Sequence, residues 1–539
     1  MRMFETYICR VLLFLSLLPL RALAQDAPFV RGYAQLGAIA SKGDYAPFWF
    51  TARQQGVPSL ETSNSYARYA VFAGAPFKEG SDWSYNVAAD VVVGYNRENT
   101  VFPQQLYGEV SWRRLTLSLG CKERFSELKG FAAPCASSSF SKNGVNTLFP
   151  HLYANRFSEL SSGGLVYSGN SAPVPQLRLE IPQYVPFPGT KGWLGVKGHI
   201  AYGFFADGSF QENFTRENPT ARYGKNIFYH SKALFINVGK PSRFPLTFEG
   251  GLEMYTQFGG DIYNHKDGKV LSMPSGVKDF FKAFIPMSGG EDTPEYEQTN
   301  ISGNNVGSWH AALTLHTRVA DVRVYAEHMF EDFSQLFFFE YQSDANGDRN
   351  LIYYPWRDIL VGVSVANKSG VLPFISNFLY EYLSTYDQSG AGYNDPGPFF
   401  KEQMDGADNY YNHSIYPGWH NMGMGLGSPL AVSPAYNKNG SLRFRSNRFV
   451  AHTVGVNGTL GVNSPFAYRL QYTYSENWGT YLNPLDEKKY TTSLLADVIY
   501  APAAGKWAGS FAIGYDKSNF IGENLGVMFT ITRAINYKE

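Results

Sequence analysis

The sequence predicts an all-β chain closed into a transmembrane barrel of the outer-membrane type. It would have about 18 antiparallel strands, with short helical and loop segments occluding the barrel or its mouth. Three observations lead there. Segments alternating apolar and polar residues recur from Ala67 to Asn536, and a period of two marks a strand with one oily and one wet face. No apolar run reaches the ~20 residues of a membrane-spanning helix. The residues are 16% aromatic, with 37 Tyr, 41 Phe and 53 Gly; rings suit interfacial girdles, and glycines suit turns and close contacts. A soluble sandwich shows the same alternation, so persistence along the chain is what favours a barrel. Allowing about 28 residues per strand and turn gives about 18 strands. The formal net charge of +0 argues against a nucleic-acid partner.

In chain order, Met1 to Arg10 carries two arginines, "VLLFLSLLPL" (11–20) is apolar and "ALA" (22–24) offers small residues for cleavage. This is the pattern of a secretory signal peptide over 1–24, with the barrel and its loops over 25–539. The apolar run is too short to cross a ~30 Å hydrocarbon core. The expected location is the outer membrane of a Gram-negative bacterium, with outer-membrane lipid and the barrel assembly machinery as partners and a monomeric state.

Strands follow. "WLGVKGHIAYGFFADG" (193–208) sets Leu194, Val196, Ile200, Tyr202 and Phe204 against Lys197 and His199. "FPLTFEGGLEMYTQF" (244–258) sets Phe248 and Leu252 against Thr247, Glu249 and Glu253. "AYRLQYTYSENW" (467–478), "GSFAIGYDKS" (509–518) and the closing "LGVMFTITRAINY" (525–537) alternate in the same way. Long irregular stretches fall near 122–161, 207–229, 259–306 and 386–447, as extracellular loops would. Within the third, "MPSGVKDFFKAFIP" (273–286) predicts a short helix, with Val277, Phe280, Phe281 and Phe284 at helical spacing. Too short to stand alone, it is expected to pack in the interior or mouth of the barrel and obstruct it.

Several segments together resemble the Wzi family of capsule assembly proteins, in its Bacteroidetes-type branch. They are "PFWFTARQQG" (47–56), "SGGLVYSGNSAPVPQLRLEIPQY" (162–184), "NNVGSWHAAL" (304–313), "GWHNMGMGLGSPL" (418–430) and "NRFVAHTVGVNG" (447–458). The resemblance implies an 18-stranded barrel blocked as a pore. Such a barrel acts as a non-catalytic lectin that binds capsular or other surface polysaccharide and anchors it to the cell. None of these segments is a catalytic signature, and no cofactor is implied. The alternative is an outer-membrane channel for small or oligosaccharide solutes, since about 18 strands enclose room for one unless filled. A lipid-modifying enzyme would need a nucleophile–base pair on the outer face, and none is legible.

The densest chemistry is "YYNHSIYPGWHNMGMGLGSPL" (410–430). His413 and His420, seven apart, match no zinc spacing even with Asp405 or Asp408 as a third ligand. Ser414 and Ser428 lie in no nucleophile elbow. Sugar rings stack on aromatic faces, and their hydroxyls pair with amides and imidazoles. Tyr410, Tyr411, Tyr416, Trp419, His420 and Asn421 are therefore the expected carbohydrate contacts, the alternative being a loop core. In "SDANGDRN" (343–350), Asp344 and Asp348 hint at calcium, but Asn346-Gly347 between "LFFFEYQ" and "LIYYPW" reads better as a hairpin. Cys121 and Cys135 remain after cleavage, and a disulfide between them is possible in an oxidising compartment.

Overall fold

A computed structural model describes residues 29–75, 82–97, 100–124, 160–264, 268–285, 302–331, 339–343, 349–353, 356–368, 374–388, 393–394, 404–405, 408–461, 464–502 and 506–538. Eighteen strands form one antiparallel sheet. In chain order they begin β1 (Phe29–Lys42), β2 (Ser63–Ala75), β3 (Trp83–Tyr95), β4 (Val101–Trp112), β5 (Leu115–Cys121) and β6 (Gln176–Pro186). Next come β7 (Leu194–Phe204), β8 (Phe228–Val238), β9 (Leu246–Phe258), β10 (Asn304–His316), β11 (Ala320–Glu331) and β12 (Ile359–Asn367). The last are β13 (Asn377–Ser384), β14 (Arg448–Thr459), β15 (Phe466–Gly479), β16 (Pro484–Tyr500), β17 (Trp507–Ser518) and β18 (Gly522–Lys538). Each pairs with its neighbour in sequence. β18 then pairs with β1, from Val30 opposite Lys538 to Lys42 opposite Leu525, and the sheet has no edge.

Hydropathy is inverted relative to a soluble barrel. Along β6, Leu177 and Leu179 point outward and are exposed, whereas Arg178 between them is buried. Along β8, outward Leu234 is 60% exposed while inward Ser231 and Phe235 are covered. The inner wall also buries Asp90, Glu109, His199, Glu253, Glu327, Glu381, Asp497 and Asp516. An apolar outer band over a polar interior is what a hydrocarbon solvent selects.

The connections sort by end. β2–β3, β4–β5, β6–β7, β8–β9, β10–β11, β12–β13, β14–β15 and β16–β17 are joined by short links at one end. There Trp83, Trp112, Phe187, Phe466, Tyr500 and Trp507 are exposed, Trp83 leaning on Trp112 and Phe466 on Tyr500. This is an interfacial aromatic girdle. The long connections 43–62, 122–175, 205–227, 259–303, 332–358 and 385–447 all leave from the other end.

The helix expected over 273–286 forms over Val277–Phe284, but it neither enters the barrel nor blocks it. Its backbone carbonyls at Phe280 and Ala283 accept hydrogen bonds from Tyr202 Oη at 2.8 Å and Lys232 Nζ at 3.0 Å. The Phe280 ring packs on Phe228 and Phe258, and the Phe284 ring on His230. Tyr202, Phe228, His230, Lys232 and Phe258 all lie on the outer face, since their strand neighbours Ala201, Tyr229, Ser231 and Gln257 face the lumen. The obstruction reading is therefore corrected. An amphipathic helix satisfies its own backbone and needs an apolar surface, and here that surface is the outer wall.

Phe339–Ser343 pairs antiparallel with Arg349–Tyr353, the flanks of the expected hairpin. Its tip, with Asp344 and Asp348, lies outside the described residues. So do residues 1–24 of the expected signal peptide, and Cys135, hence the pairing of Cys121 with it.

Candidate functional site: a lumen filled by loops

Four of the long connections turn inward and assemble into a plug. Segment 43–62 contains a one-turn helix (Phe48–Thr51) whose Phe50 is buried. Residues 160–174 are almost continuously buried. Segment 205–227 carries the helix Gly208–Thr215, and 408–447 runs through short bridges and turns. These stretches are rich in Gly, Pro, Ser and Asn, so they cannot satisfy their own backbones as helices would. Buried backbone groups must nevertheless be paired.

The polar inner wall does the pairing. Glu381 on β13 accepts from Ser161 Oγ at 2.6 Å, Ser162 N at 2.6 Å and Ser162 Oγ at 2.7 Å. Glu327 and Glu331 on β11 accept from Leu165 N and Tyr411 N, each at 2.8 Å. Asp516 on β17 accepts from Phe48 N at 2.8 Å, and Asn524 on β18 from the amides of Asp44 and Tyr45. Gln471 on β15 donates to Leu160 O, Gln257 on β9 to Gly418 O and Gln104 on β4 to Gln55 O. The plug is thus moored around the circumference. Its segments also bind one another: Arg53 donates to the carbonyls of Ser161 and Ser168, and Ser168 N to Leu426 O at 2.9 Å.

The six residues expected to meet sugar lie inside this plug. Trp419 is 0% exposed; its Nε1 donates to Val166 O at 2.8 Å, and its ring lies parallel to Tyr229 of the wall. Phe205 and Tyr255 meet it edge-on. Tyr411 Oη donates to Leu165 O at 2.6 Å, Tyr410 Oη to Asp358 at 2.9 Å, and Asn421 Nδ2 to Ala172 O at 2.9 Å. Tyr416 is equally buried, its hydroxyl facing Gly259 O. His420 Nδ1 sits 4.0 Å from Asp207 Oδ2. Burial pushes that imidazole down to about 3 and the Asp207 carboxyl up to about 6. In this packing none of the six turns a side chain to solvent. The structure makes this loop a core; it does not display these side chains to a glycan.

What the plug does display is cationic. Leu442 and Phe444 are buried, while Arg443 and Arg445 between and beyond them are exposed. Arg443 Nη2 donates to His413 O at 3.2 Å and Arg222 Nη1 to the next carbonyl, Ser414 O, at 2.8 Å. One turn therefore gathers two guanidiniums. Partial desolvation of its guanidinium by the neighbouring turn, and then the Arg222 charge, pull the Arg443 pKa down, and neither group is ion-paired among the described residues. Nearby, Arg445 and Lys489 lie 5.1 and 5.4 Å from the Phe520 ring centroid, and Lys438 lies 5.4 Å from that of Tyr45. Sequence reasoning passed over these groups, although "SLRFRSNRF" (441–449) alternates basic and apolar residues.

Fold and wall define a closed transmembrane β-barrel of the outer-membrane class with a loop-built plug. The same fold occurs in Wzi of Escherichia coli, described as an outer-membrane, carbohydrate-binding β-barrel involved in group 1 capsule assembly. That likeness has a TM-score of 0.51 at 11% identity, covering 94% of this chain and 85% of that one. Two Pseudomonas aeruginosa proteins are more distantly similar. OpdQ gives a TM-score of 0.44 at 8% identity over 94% of this chain and 98% of its own. OpdO gives 0.43 at 9% identity over 95% and 98%. No protein-family model matches the sequence, and no curated protein does.

Proposed function

We propose that the protein is a non-catalytic, lectin-like barrel that binds surface polysaccharide and anchors it to the cell. The observation that carries this reading is the filled lumen. Loop segments hydrogen-bonded to β4, β9, β11, β13, β15, β17 and β18 occupy the route a solute would take. A barrel so closed is suited to holding a ligand at its mouth rather than passing one. The mouth offers Arg222 and Arg443 on one turn, and Arg445 and Lys489 beside Phe520, groups that pair with carboxylate or other acidic groups and cover the C–H faces of sugars. Each contact is weak, but a polymer presents many repeats and is retained by avidity.

The test is polysaccharide retention in cells carrying Arg443→Gln with Arg445→Gln. Both side chains are exposed, so assembly should be unaffected. Polysaccharide shed to the medium from a normally assembled barrel supports the proposal. Unchanged retention removes this surface from it. Large steady openings of the wild-type barrel in a planar bilayer would favour the channel instead, and polymer shortened by the wild type would indicate an enzyme.

A further inference from the structure

One cluster in the wall is not used by the proposed binding surface. Glu253 on β9 pairs across the ladder with Ser308 on β10, and His310 on β10 with Glu327 on β11. The four therefore occupy two adjacent rungs and face the lumen. The side chains of Glu253, His310 and Glu327 are each no more than 2% exposed. His310 Nε2 lies 3.0 Å from Glu253 Oε1, 3.8 Å from Glu327 Oε1 and 2.9 Å from Ser308 Oγ. Ser308 Oγ is 3.4 Å from Glu253 Oε1.

From this geometry we propose that Glu253, Ser308, His310 and Glu327 form a divalent-cation site that staples the plug to the barrel wall. A ring nitrogen has one proton or one lone pair, yet Nε2 faces three oxygens that converge on it. A tetrahedral zinc centre with bonds of about 2.0–2.2 Å has donor–donor edges of about 3.3–3.6 Å. Four of the six edges, at 2.9, 3.0, 3.4 and 3.8 Å, straddle that range. Two carboxylates balance a dication's charge, and an imidazole with carboxylate donors suits zinc or manganese.

Supporting bonds orient the ligands. Tyr255 Oη donates to Glu253 Oε2 at 3.0 Å, leaving Oε1 aimed at the cluster. The Phe235 ring meets the imidazole edge-on. Leu165 N, from the plug, donates to Glu327 Oε1 at 2.8 Å. A cation on that carboxylate would fix the oxygen on which this plug segment hangs. The site thus couples metal binding to closure of the lumen.

The full barrel, refolded in detergent with and without Zn²⁺ and then desalted, should retain one zinc per chain by elemental analysis. Its plug should be cut more slowly by protease when the zinc is present. His310→Gln and Glu253→Gln should each weaken zinc binding at least tenfold, and Ser308→Ala should weaken it less than either. If the wild type retains no more zinc or manganese than His310→Gln does, the proposal is overturned. Should the variants fail to fold, the wild type decides alone: equal protease rates with zinc and with chelator exclude a staple.

Discussion

Two aromatic-rich loop segments exchange the places their sequences suggest. Residues 273–286, with phenylalanines at helical spacing, read as the obstruction, yet the helix lies on the outer wall with Phe281 68% exposed. Residues 410–430, with rings and amides suited to sugars, read as a displayed surface, yet Trp419 and its neighbours are the centre of the plug. The difference follows from what each neighbouring surface needs. The lumen is lined with carboxylates and amides, so its filling must offer unpaired backbone groups, and Gly-, Pro- and Asn-rich chain does so. The outer wall is mainly apolar, with Tyr202 and Lys232 meeting two carbonyls near the helix end, so a helix that satisfies most of its own backbone can cover it. Aromatic content says a segment will be buried; backbone regularity says against which face.

The largest effect should come from removing each segment in turn. Replacing 410–430 by a flexible linker takes away Trp419, Tyr411 and the bonds to Leu165, Val166 and Ala172. Steady conductance should appear in planar bilayers where the wild type is silent. Deleting 273–286 should leave the barrel as silent as before, because the helix lies outside. Conductance after the second deletion, and none after the first, would restore the original assignment.

A single side chain sharpens the same contrast. Truncating a buried large aromatic costs about 3–5 kcal/mol, and Trp419→Ala also orphans Val166 O. Thermal unfolding or plug proteolysis should show a destabilisation of that order. A cost below about 1 kcal/mol would mean that the ring sits at a surface after all.

Much of the wall was legible, for a physical reason. The alternation in 244–258 and 467–478 survives because each strand residue meets one of two solvents, and His199 and Glu253 fall on the polar face as the period requires. Strand number follows from chain length. The plug was not legible, because its partners are distant in sequence. Nothing near Trp419 announces Tyr229 or Val166, and nothing near Glu381 announces Ser161 and Ser162. Arg443 and Arg222 likewise meet only through the 413–414 turn. The glycines and asparagines of 410–430 exclude a regular element, but they do not say whether the irregular chain faces water or a wall.

Acid should test the plug more gently. Burial holds His413 and His420 down to about 3, so relative to an undocked plug, with imidazoles near 6.5, they lose stability as pH falls through that interval. Asp207 and Asp358, raised by burial to about 6 and about 7, act oppositely. Their docked state gains as pH falls toward the ordinary carboxylate range. Among these four groups, two of each kind nearly cancel between about pH 4 and 6, and below about pH 4 the two histidines continue to oppose docking. Protease access to the plug should therefore be flat from pH 6 to 4.5 and rise sharply by pH 3.5. His420→Gln should blunt that rise. A steady increase from pH 7 downward would contradict the balance.

The smallest effect on stability should be found on the outer helix. Val277, Phe281 and Ile285 are exposed at 77, 68 and 53%, above outer-wall residues, Leu234 and Phe248, that are themselves open to lipid. Phe281→Ser should change unfolding in detergent by no more than about 0.5 kcal/mol, as substitutions without buried partners do. Its surroundings should tell more than its energy. A nitroxide at position 281, attached through Phe281→Cys in a chain with Cys121 and Cys135 replaced by serine, should be relaxed by lipid-soluble oxygen more than by a water-soluble nickel chelate. Amphipathic helices at the bilayer interface bury one face among the acyl chains, and this helix continues the lipid-facing wall. If the chelate wins, the helix stands clear of the membrane and its exposed face awaits another partner, while the assignment of 410–430 to the lumen stands untouched.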